Sequence, residues 1–181
     1  NLPGKYVFLV PRAPTVPPQL LLDNGIAAYR DRLDIRVLAE NRYDLMAACD
    51  AAVAASGTVT LELAILGVPT VAAYRVSPHT YRLGRLLVKL PWFSLVNLIA
   101  NREVIPEFLQ DEVTPAAIAD RLERMFQEGE ARTLIVQGLA EVKNKLGTPG
   151  AAGRAAAIAI SIIRRHEGQL RTKRGPDAGT E

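Results

Sequence analysis

Asp50-Ala-Ala-Val-Ala-Ala-Ser-Gly-Thr-Val-Thr-Leu-Glu-Leu-Ala-Ile-Leu-Gly-Val-Pro-Thr-Val-Ala-Ala-Tyr74 decides the fold. It reads as a small apolar strand, a Ser-Gly-Thr turn, a helix of two to three turns and a second apolar strand, which together make a βαβ unit. The turn leaves Ser56, Gly57 and Thr58 at the helix start, where unpaired backbone N–H groups and the positive end of the helix dipole face the carboxyl ends of the parallel strands. An anion such as a phosphate suits that mouth. Thr58 and Glu62 are four residues apart and share one helix face. A ligand carrying both phosphate and hydroxyls would engage the N–H groups and the Glu62 carboxylate together. On the turn alone an ordinary N-cap with a solvated Glu62 serves equally well. The short, continuous apolar strands on both sides imply a sheet covered on both faces, and such sheets bind ligands at this end.

Upstream, Tyr6 to Val10 is an apolar strand cut by Pro11, and Pro14, Pro17 and Pro18 mark a loop. A helix from about Gln19 to Arg30, a strand at Ile35 to Leu38 and a short helix from Tyr43 to Cys49 lead into the βαβ unit. Alternating strands and helices predict an α/β fold, a Rossmann-like parallel sheet with helices on both faces. There is no Gly-x-Gly-x-x-Gly fingerprint, which disfavours a dinucleotide enzyme. A doubly wound domain opens with a strand and a glycine-containing turn, whereas this chain opens at what reads as a second strand, with Asn1 in place of Met. It is therefore expected to be a fragment.

Downstream, Pro106 and its neighbours read as a turn into a short helix. Thr114-Pro115 reads as a helix start, with threonine as N-cap and proline at the first position, continuing through Ile118, Leu122 and Phe126. Helices at about 131–146 and 151–166 follow, separated by Gly147-Thr-Pro-Gly150. The expected organisation is an incomplete Rossmann-like ligand-binding domain over 1–112, C-terminal helices packing on it over 113–167, and a disordered basic tail over 168–181.

The chain has 181 residues, 49% hydrophobic and 23% charged, which suits one soluble domain with a sizeable core. Cys49 is the single cysteine, so no internal disulfide can form and no zinc or redox motif exists; the chain reads as cytoplasmic. The apolar run Ala155 to Ile163 is too short to span a bilayer and reads as a core helix. The net charge is +3, but residues 164–174 alone carry +4, leaving the remainder at −1. Such a tail reads as solvated, and no nucleic-acid partner is expected.

Between Glu62 and Glu103 no acidic residue occurs, while Arg75, Arg82, Arg85, Lys89 and Arg102 lie among Trp92, Phe93, Leu95 and Val96. On a helix over 79–89, Arg82, Arg85 and Lys89 form one basic stripe and Leu83, Leu86 and Leu87 lie on another face. Two readings stand: an ordinary surface helix with Trp92 and Phe93 in the core, or a peripheral contact with a lipid surface.

The segments Ala55-Ser-Gly-Thr-Val-Thr-Leu-Glu with Leu66-Gly-Val-Pro, Ala73-Tyr-Arg-Val-Ser-Pro-His-Thr-Tyr, Leu87-Val-Lys and Ser94-Leu-Val-Asn-Leu-Ile-Ala-Asn-Arg-Glu-Val-Ile-Pro-Glu-Phe-Leu-Gln resemble the lipid-A-disaccharide synthases. Ala13-Pro-Thr-Val and Leu146-Gly-Thr-Pro-Gly-Ala fit as well. The resemblance is to the C-terminal, UDP-sugar-binding half of these two-domain glycosyltransferases of GT-B architecture. It implies transfer of a diacylated glucosamine from a UDP-linked donor to the lipid acceptor diacylglucosamine 1-phosphate, giving a β-1,6 disaccharide and UDP, with no metal ion or cofactor. It further implies that Ser56, Gly57, Thr58 and Glu62 hold UDP and that Asn97 is a donor-site residue. Arg75, Tyr81, Arg102 and Glu103 are expected near the donor or its phosphates, with Arg102 pairing with a phosphate, Glu103 or Glu107. Arg82, Arg85, Lys89, Trp92 and Phe93 would meet the cytoplasmic face of the inner membrane. Val96 stands where the family usually has proline, and Asn101 where it usually has glycine. The acceptor domain and the general base would lie in a missing N-terminal half, so the chain alone is expected not to turn over.

Related UDP-sugar enzymes, the transferase completing the peptidoglycan precursor and the UDP-N-acetylglucosamine epimerase, use a similar strand, turn and helix but lack the Tyr-Arg-Val-Ser-Pro and Asn-Leu-Ile-Ala segments. A second class of reading is a non-catalytic UDP-binding or interaction module that forms a homodimer through its C-terminal helices.

Overall fold

A computed structural model describes residues 5–55, 57–87 and 90–174, with the backbone alone for 83–87 and 167–174. Five strands and nine α-helices alternate through the described residues: β1 (Val7–Pro11), α1 (Pro18–Leu21), α2 (Ala27–Tyr29), β2 (Asp34–Leu38), α3 (Arg42–Ala47), β3 (Ala52–Ala55), α4 (Thr58–Leu66), β4 (Thr70–Tyr74), α5 (Pro78–Leu87), α6 (Leu95–Ala100), β5 (Glu107–Leu109), α7 (Pro115–Phe126), α8 (Glu130–Lys145) and α9 (Ala151–Arg174). Every strand pair is parallel, as the alternation predicts. β1 pairs with β2 through Val7↔Asp34 to Pro11↔Leu38, and a separate three-stranded sheet has the order β3-β4-β5.

Contacts divide the chain into two units, Asn1–Lys145 and Leu146–Glu181. The first therefore takes in α7 and α8, beyond the domain end expected at residue 112. Its main core lies where α4, α6 and α8 meet β4, around Ala64, Ala72, Val96, Ile105, Leu139 and Val142. Full burial of such side chains stabilises by roughly 1.5–3 kcal/mol for each Val, Leu or Ile. Gly138 lets α8 approach this core: a Cβ there would lie 2.6 Å from Val104 Cγ1. A second cluster joins Leu45 and Met46 of α3, Ala54 of β3, and Leu63 and Val68, with Leu9 of β1 packed against it.

Several expectations are corrected. The helix expected over 19–30 is broken by a kink within Leu22–Ile26, where Asn24 at φ −90°, ψ 23° and Gly25 at φ 112° leave the helical conformation; Asn-Gly is a pair that readily makes such a break, glycine supplying the positive φ. The turn-to-helix expected after Pro106 is instead the strand β5, followed by a 3-10 turn at Gln110–Glu112. α6 was not anticipated. Its cap is Ser94, whose side chain accepts the Asn97 N–H at 3.2 Å. The Thr114-Pro115 start holds, with Thr114 Oγ1 accepting the Ala117 N–H.

In the second unit, helix α9 runs to Arg174, past the expected end at His166, so the 168–174 part of the expected disordered tail is helical; 175–181 lie outside the described residues. The run Ala155 to Ile163, expected as a core helix, is exposed throughout, with Ile158 and Ile162 at 62% and 59%. Its isoleucines at 158, 160, 162 and 163 do not follow the 3.6-residue spacing that would gather them on one narrow face.

Candidate functional site

The βαβ turn is built as its sequence implies. Gly57 takes φ 150°, ψ −161°, a conformation in the region reserved for glycine, and is the N-cap of α4. The buried Thr60 fixes this turn from inside, its Oγ1 donating to the Gly57 carbonyl at 2.8 Å and its N–H donating to the same oxygen at 3.3 Å. Gly57 and Thr58 are exposed at the carboxyl end of β3. Ser56, between the strand and this turn, lies outside the described residues.

Glu62, one turn along α4 from Thr58, is half-buried and does not stand alone. Arg42 at the start of α3 reaches it at 3.4 Å, and the same guanidinium donates to the Tyr43 hydroxyl at 2.6 Å while stacking 4.6 Å from the Tyr43 ring centroid. The hydroxyl lies 3.5 Å from Glu62 Oε1. The Tyr43 hydrogen bond, and then the Glu62 charge, raise the Arg42 pKa, so this cation stays charged beside the carboxylate. Sequence reading missed Arg42 and Tyr43, which lie 20 and 19 residues from Glu62.

At the end of the neighbouring strand β4, Arg75 donates from Nε to the Gln110 carbonyl at 3.1 Å and from Nη2 to the Val113 carbonyl at 2.7 Å. Gln110 in turn brackets Val76, accepting its N–H at 2.8 Å and donating to its carbonyl at 2.9 Å. The Arg75 guanidinium thus ties the end of β4 to the segment after β5 while remaining solvent-exposed. Gln110 was another residue that sequence reading did not single out.

Asn97 is wholly buried. Its Nδ2 donates to the Ile105 carbonyl at 2.9 Å and to Glu107 Oε1 at 2.8 Å; its Oδ1 accepts the N–H groups of Val104 at 2.7 Å and Ile105 at 3.0 Å. Two donors and two lone pairs are the whole capacity of a primary amide, so every one is used within the chain. Glu107 completes the clamp by accepting the N–H groups of Phe93 and Ser94, both at 3.0 Å. The arrangement leaves Asn97 no hydrogen bond for a sugar or phosphate.

Arg102, for which a phosphate, Glu103 or Glu107 was expected, pairs instead with Glu141 of α8 at 2.6 Å, and Lys145 reaches the same carboxylate at 2.8 Å. Lys145 first, then Arg102, hold the Glu141 carboxyl below its ordinary value. Glu103 is exposed in the loop between α6 and β5. The departures at Val96 and Asn101 are accommodated. Val96 occupies the second position of α6 and is fully buried, and Asn101 takes the left-handed cap conformation at φ 57°, which asparagine tolerates.

In the basic stretch, helix α5 is described over Pro78–Leu87, the last two residues of the expected helix lying outside the described residues, and Arg82 is exposed. The Arg85 side chain and all of Lys89 lie outside the described residues. Trp92 and Phe93 are half-buried, and Phe93 packs against the main core, so neither is a freely exposed aromatic. Tyr81 is half-buried. The Cys49 thiol donates to the Leu45 carbonyl at 3.2 Å, and burial, then Asp50, push its pKa up, which suits an inert side chain. Among the described residues no helix is long and apolar enough to cross a membrane, and no group of three or more His, Cys, Asp or Glu is placed to hold a metal ion.

The family model for lipid-A-disaccharide synthetase matches residues 8–158. The chain is 38% identical over 160 residues to the lipid-A-disaccharide synthase of Syntrophus aciditrophicus (strain SB), covering 88% of this chain and 41% of that relative. It is 41% identical over 166 residues to the synthase of Myxococcus xanthus (strain DK1622), covering 89% and 41%, and 43% identical over 150 residues to that of Solibacter usitatus (strain Ellin6076), covering 81% and 39%. The chain thus spans about two fifths of the length of these curated relatives.

Proposed function

The chain belongs to the lipid-A-disaccharide synthetase family, and from that premise we propose that it supplies the UDP-binding half of a glycosyltransferase. The reaction moves a diacylglucosaminyl group from its UDP carrier to diacylglucosamine 1-phosphate, forming the β-1,6 disaccharide and UDP. The observation that carries the reading is the turn at Gly57, open at the carboxyl end of β3, with the Glu62 carboxylate one helical turn away and held by Arg42 and Tyr43.

In this reading the diphosphate meets the first N–H groups of α4, and Glu62 accepts hydrogen bonds from the ribose hydroxyls. Negative charge grows on the β-phosphate as the glycosidic bond breaks. Fixed N–H dipoles aimed there stabilise the transition state more than the bound donor, which is the condition for accelerating the step. Thr58 extends the same mouth, and Ser56 is assigned to it from the sequence resemblance alone. Arg75 shapes its rim by joining β4 to the Gln110 segment, and Asn97, through Glu107, holds the α6–β5 segment in the fold. The acceptor site and the general base belong to protein outside this chain.

The acyl chains of both substrates favour a peripheral membrane contact on the cytoplasmic side. What supports it is α5, with Arg82 exposed, followed by the exposed Leu90. Flotation with vesicles of phosphatidylglycerol and phosphatidylethanolamine tests this part: binding reduced by Arg82→Glu supports it, and no flotation rejects it.

Calorimetric titration with UDP tests the main reading. Saturable binding that falls at least tenfold in Glu62→Ala and in Ser56→Ala/Thr58→Ala supports it. A folded chain whose affinity ignores both changes would place the nucleotide elsewhere.

A further inference from the structure

Arg75 is the first residue after β4, and the register Ala55↔Ala73 sets it two residues past that pair, as Gly57 is on the side of β3. Neighbouring strands lie about 4.8 Å apart, so Arg75 borders the α4 mouth. Its guanidinium is seated on neutral groups. Nε and Nη2 donate to the Gln110 and Val113 carbonyls, which engages two of the five N–H donors of the fork and offsets none of its charge. Arg42 is paired with Glu62, and Arg102 and Lys145 with Glu141, whereas none of the ion pairs among the described residues includes Arg75. The chain around it has no acid to offer, since none occurs between Glu62 and Glu103.

Gln110 holds this seat in place. It leaves β5 in the left-handed region at φ 51°, which a residue with a side chain adopts only when its surroundings enforce it. Its carboxamide then stands in for a peptide group. It accepts the Val76 N–H and donates to the Val76 carbonyl, extending the β4–β5 pairing past Tyr74↔Leu109. The arginine and the glutamine thus clasp each other's backbone, and the cation is fixed without being neutralised.

The mouth has two sides. Helix α4 packs against α3 and α6, and Glu62 turns to the α3 side, where Arg42 and Tyr43 meet it. Arg75 comes from β4 and is tied to the segment after β5, toward the far edge of the three-stranded sheet. A nucleotide with its ribose on Glu62 and its diphosphate at the first N–H groups of α4 therefore extends toward Arg75. Resting on that nucleotide reading, we infer that Arg75 binds the outer phosphate of a nucleoside diphosphate and so distinguishes it from a monophosphate, with Gln110 as its positioning residue. Three N–H groups of the fork are left for phosphate oxygens, which suits two-point recognition. The two carbonyls do not compete with the ligand as a carboxylate would, and a side chain already held loses little freedom on binding.

The test is calorimetric titration of the full chain with UDP and with UMP. The unmodified chain should bind UDP at least tenfold more tightly than UMP. Arg75→Ala should lower the UDP affinity at least tenfold and leave that for UMP within twofold. Gln110→Ala keeps the arginine but loosens its seat, and should lower the UDP-to-UMP ratio about threefold, again with UMP unchanged; a merely structural role would move both nucleotides together. Glu62→Ala should weaken both alike. An unchanged ratio in a folded Arg75→Ala chain overturns the inference and leaves the reading of Gly57 and Glu62 standing, as does an equal loss for both nucleotides. A folded chain that binds neither nucleotide overturns both. Should Arg75→Ala fail to fold, Arg75→Lys decides: it keeps the charge without the fork, and an undiminished ratio in it and in Gln110→Ala overturns the inference.

Discussion

The Asn97 amide donates to Glu107 Oε1 at 2.8 Å, joining the first turn of α6 to the first residue of β5. Through this bond one side chain holds the Val104-Ile105 backbone, and a carboxylate holds the Phe93-Ser94 backbone. β5 is only three residues long, and this network anchors its first residue beside the pairing with β4.

Asn97→Ala should therefore behave as a folding mutation. It strands two backbone N–H groups, one carbonyl and part of the Glu107 carboxylate, and a loss of about 2–4 kcal/mol is expected in urea unfolding. UDP affinity measured below the unfolding transition should change far less than in Glu62→Ala.

Arg42→Ala should weaken UDP binding about three- to tenfold with little change in stability. The guanidinium and Tyr43 orient the Glu62 carboxylate, whereas an exposed ion pair contributes only about 0–1 kcal/mol to folding. Calorimetry and thermal unfolding on the same preparation separate the two effects.

Gly138→Ala should lower stability by about 1–3 kcal/mol, because its Cβ would meet Val104 Cγ1 at 2.6 Å in a filled core. Val104→Ala makes room for that methyl, so the double variant should lose less than the sum of the single changes. Equal additivity in a denaturant cycle would mean that α8 shifts away.

Asn101 tests the departure from glycine at the α6 cap. With φ at 57°, Asn101→Gly should be neutral or slightly stabilising, and Asn101→Val should cost about 1–2 kcal/mol. Thermal midpoints of the three proteins check the order.

The Glu141 pKa is lowered in the fold by Lys145 and Arg102, so the folded state releases this proton more readily than the unfolded chain. Its contribution to stability is present above the ordinary value of 4.5 and lost as pH falls through the lowered native value. The urea midpoints of wild type and Glu141→Gln should differ slightly and constantly from pH 6 to 8 and converge in acid, the difference being small because the site is open to solvent.

Local chemistry made part of this molecule readable from its residues. The βαβ unit, the parallel pairing of strands, the Thr114-Pro115 start of α7 and the glycine at the α4 mouth all follow from patterns within a few residues, where helix period, strand run and turn residues act directly. The family resemblance rests on longer strings of the same kind. The limits appear where such patterns are short or ambiguous. Three residues of β5 carry no period, and the apolar run of α9 reads as a core helix although its isoleucines are exposed.

Only the tertiary structure decided the partners. Asn97 reads as a free donor-site amide until the chain folds Ile105 and Glu107 around it. Arg102 finds Glu141, 39 residues away, and Glu62 finds Arg42, 20 residues before it. Side-chain partnerships across such distances depend on how α4, α6 and α8 pack, and no local spacing encodes them.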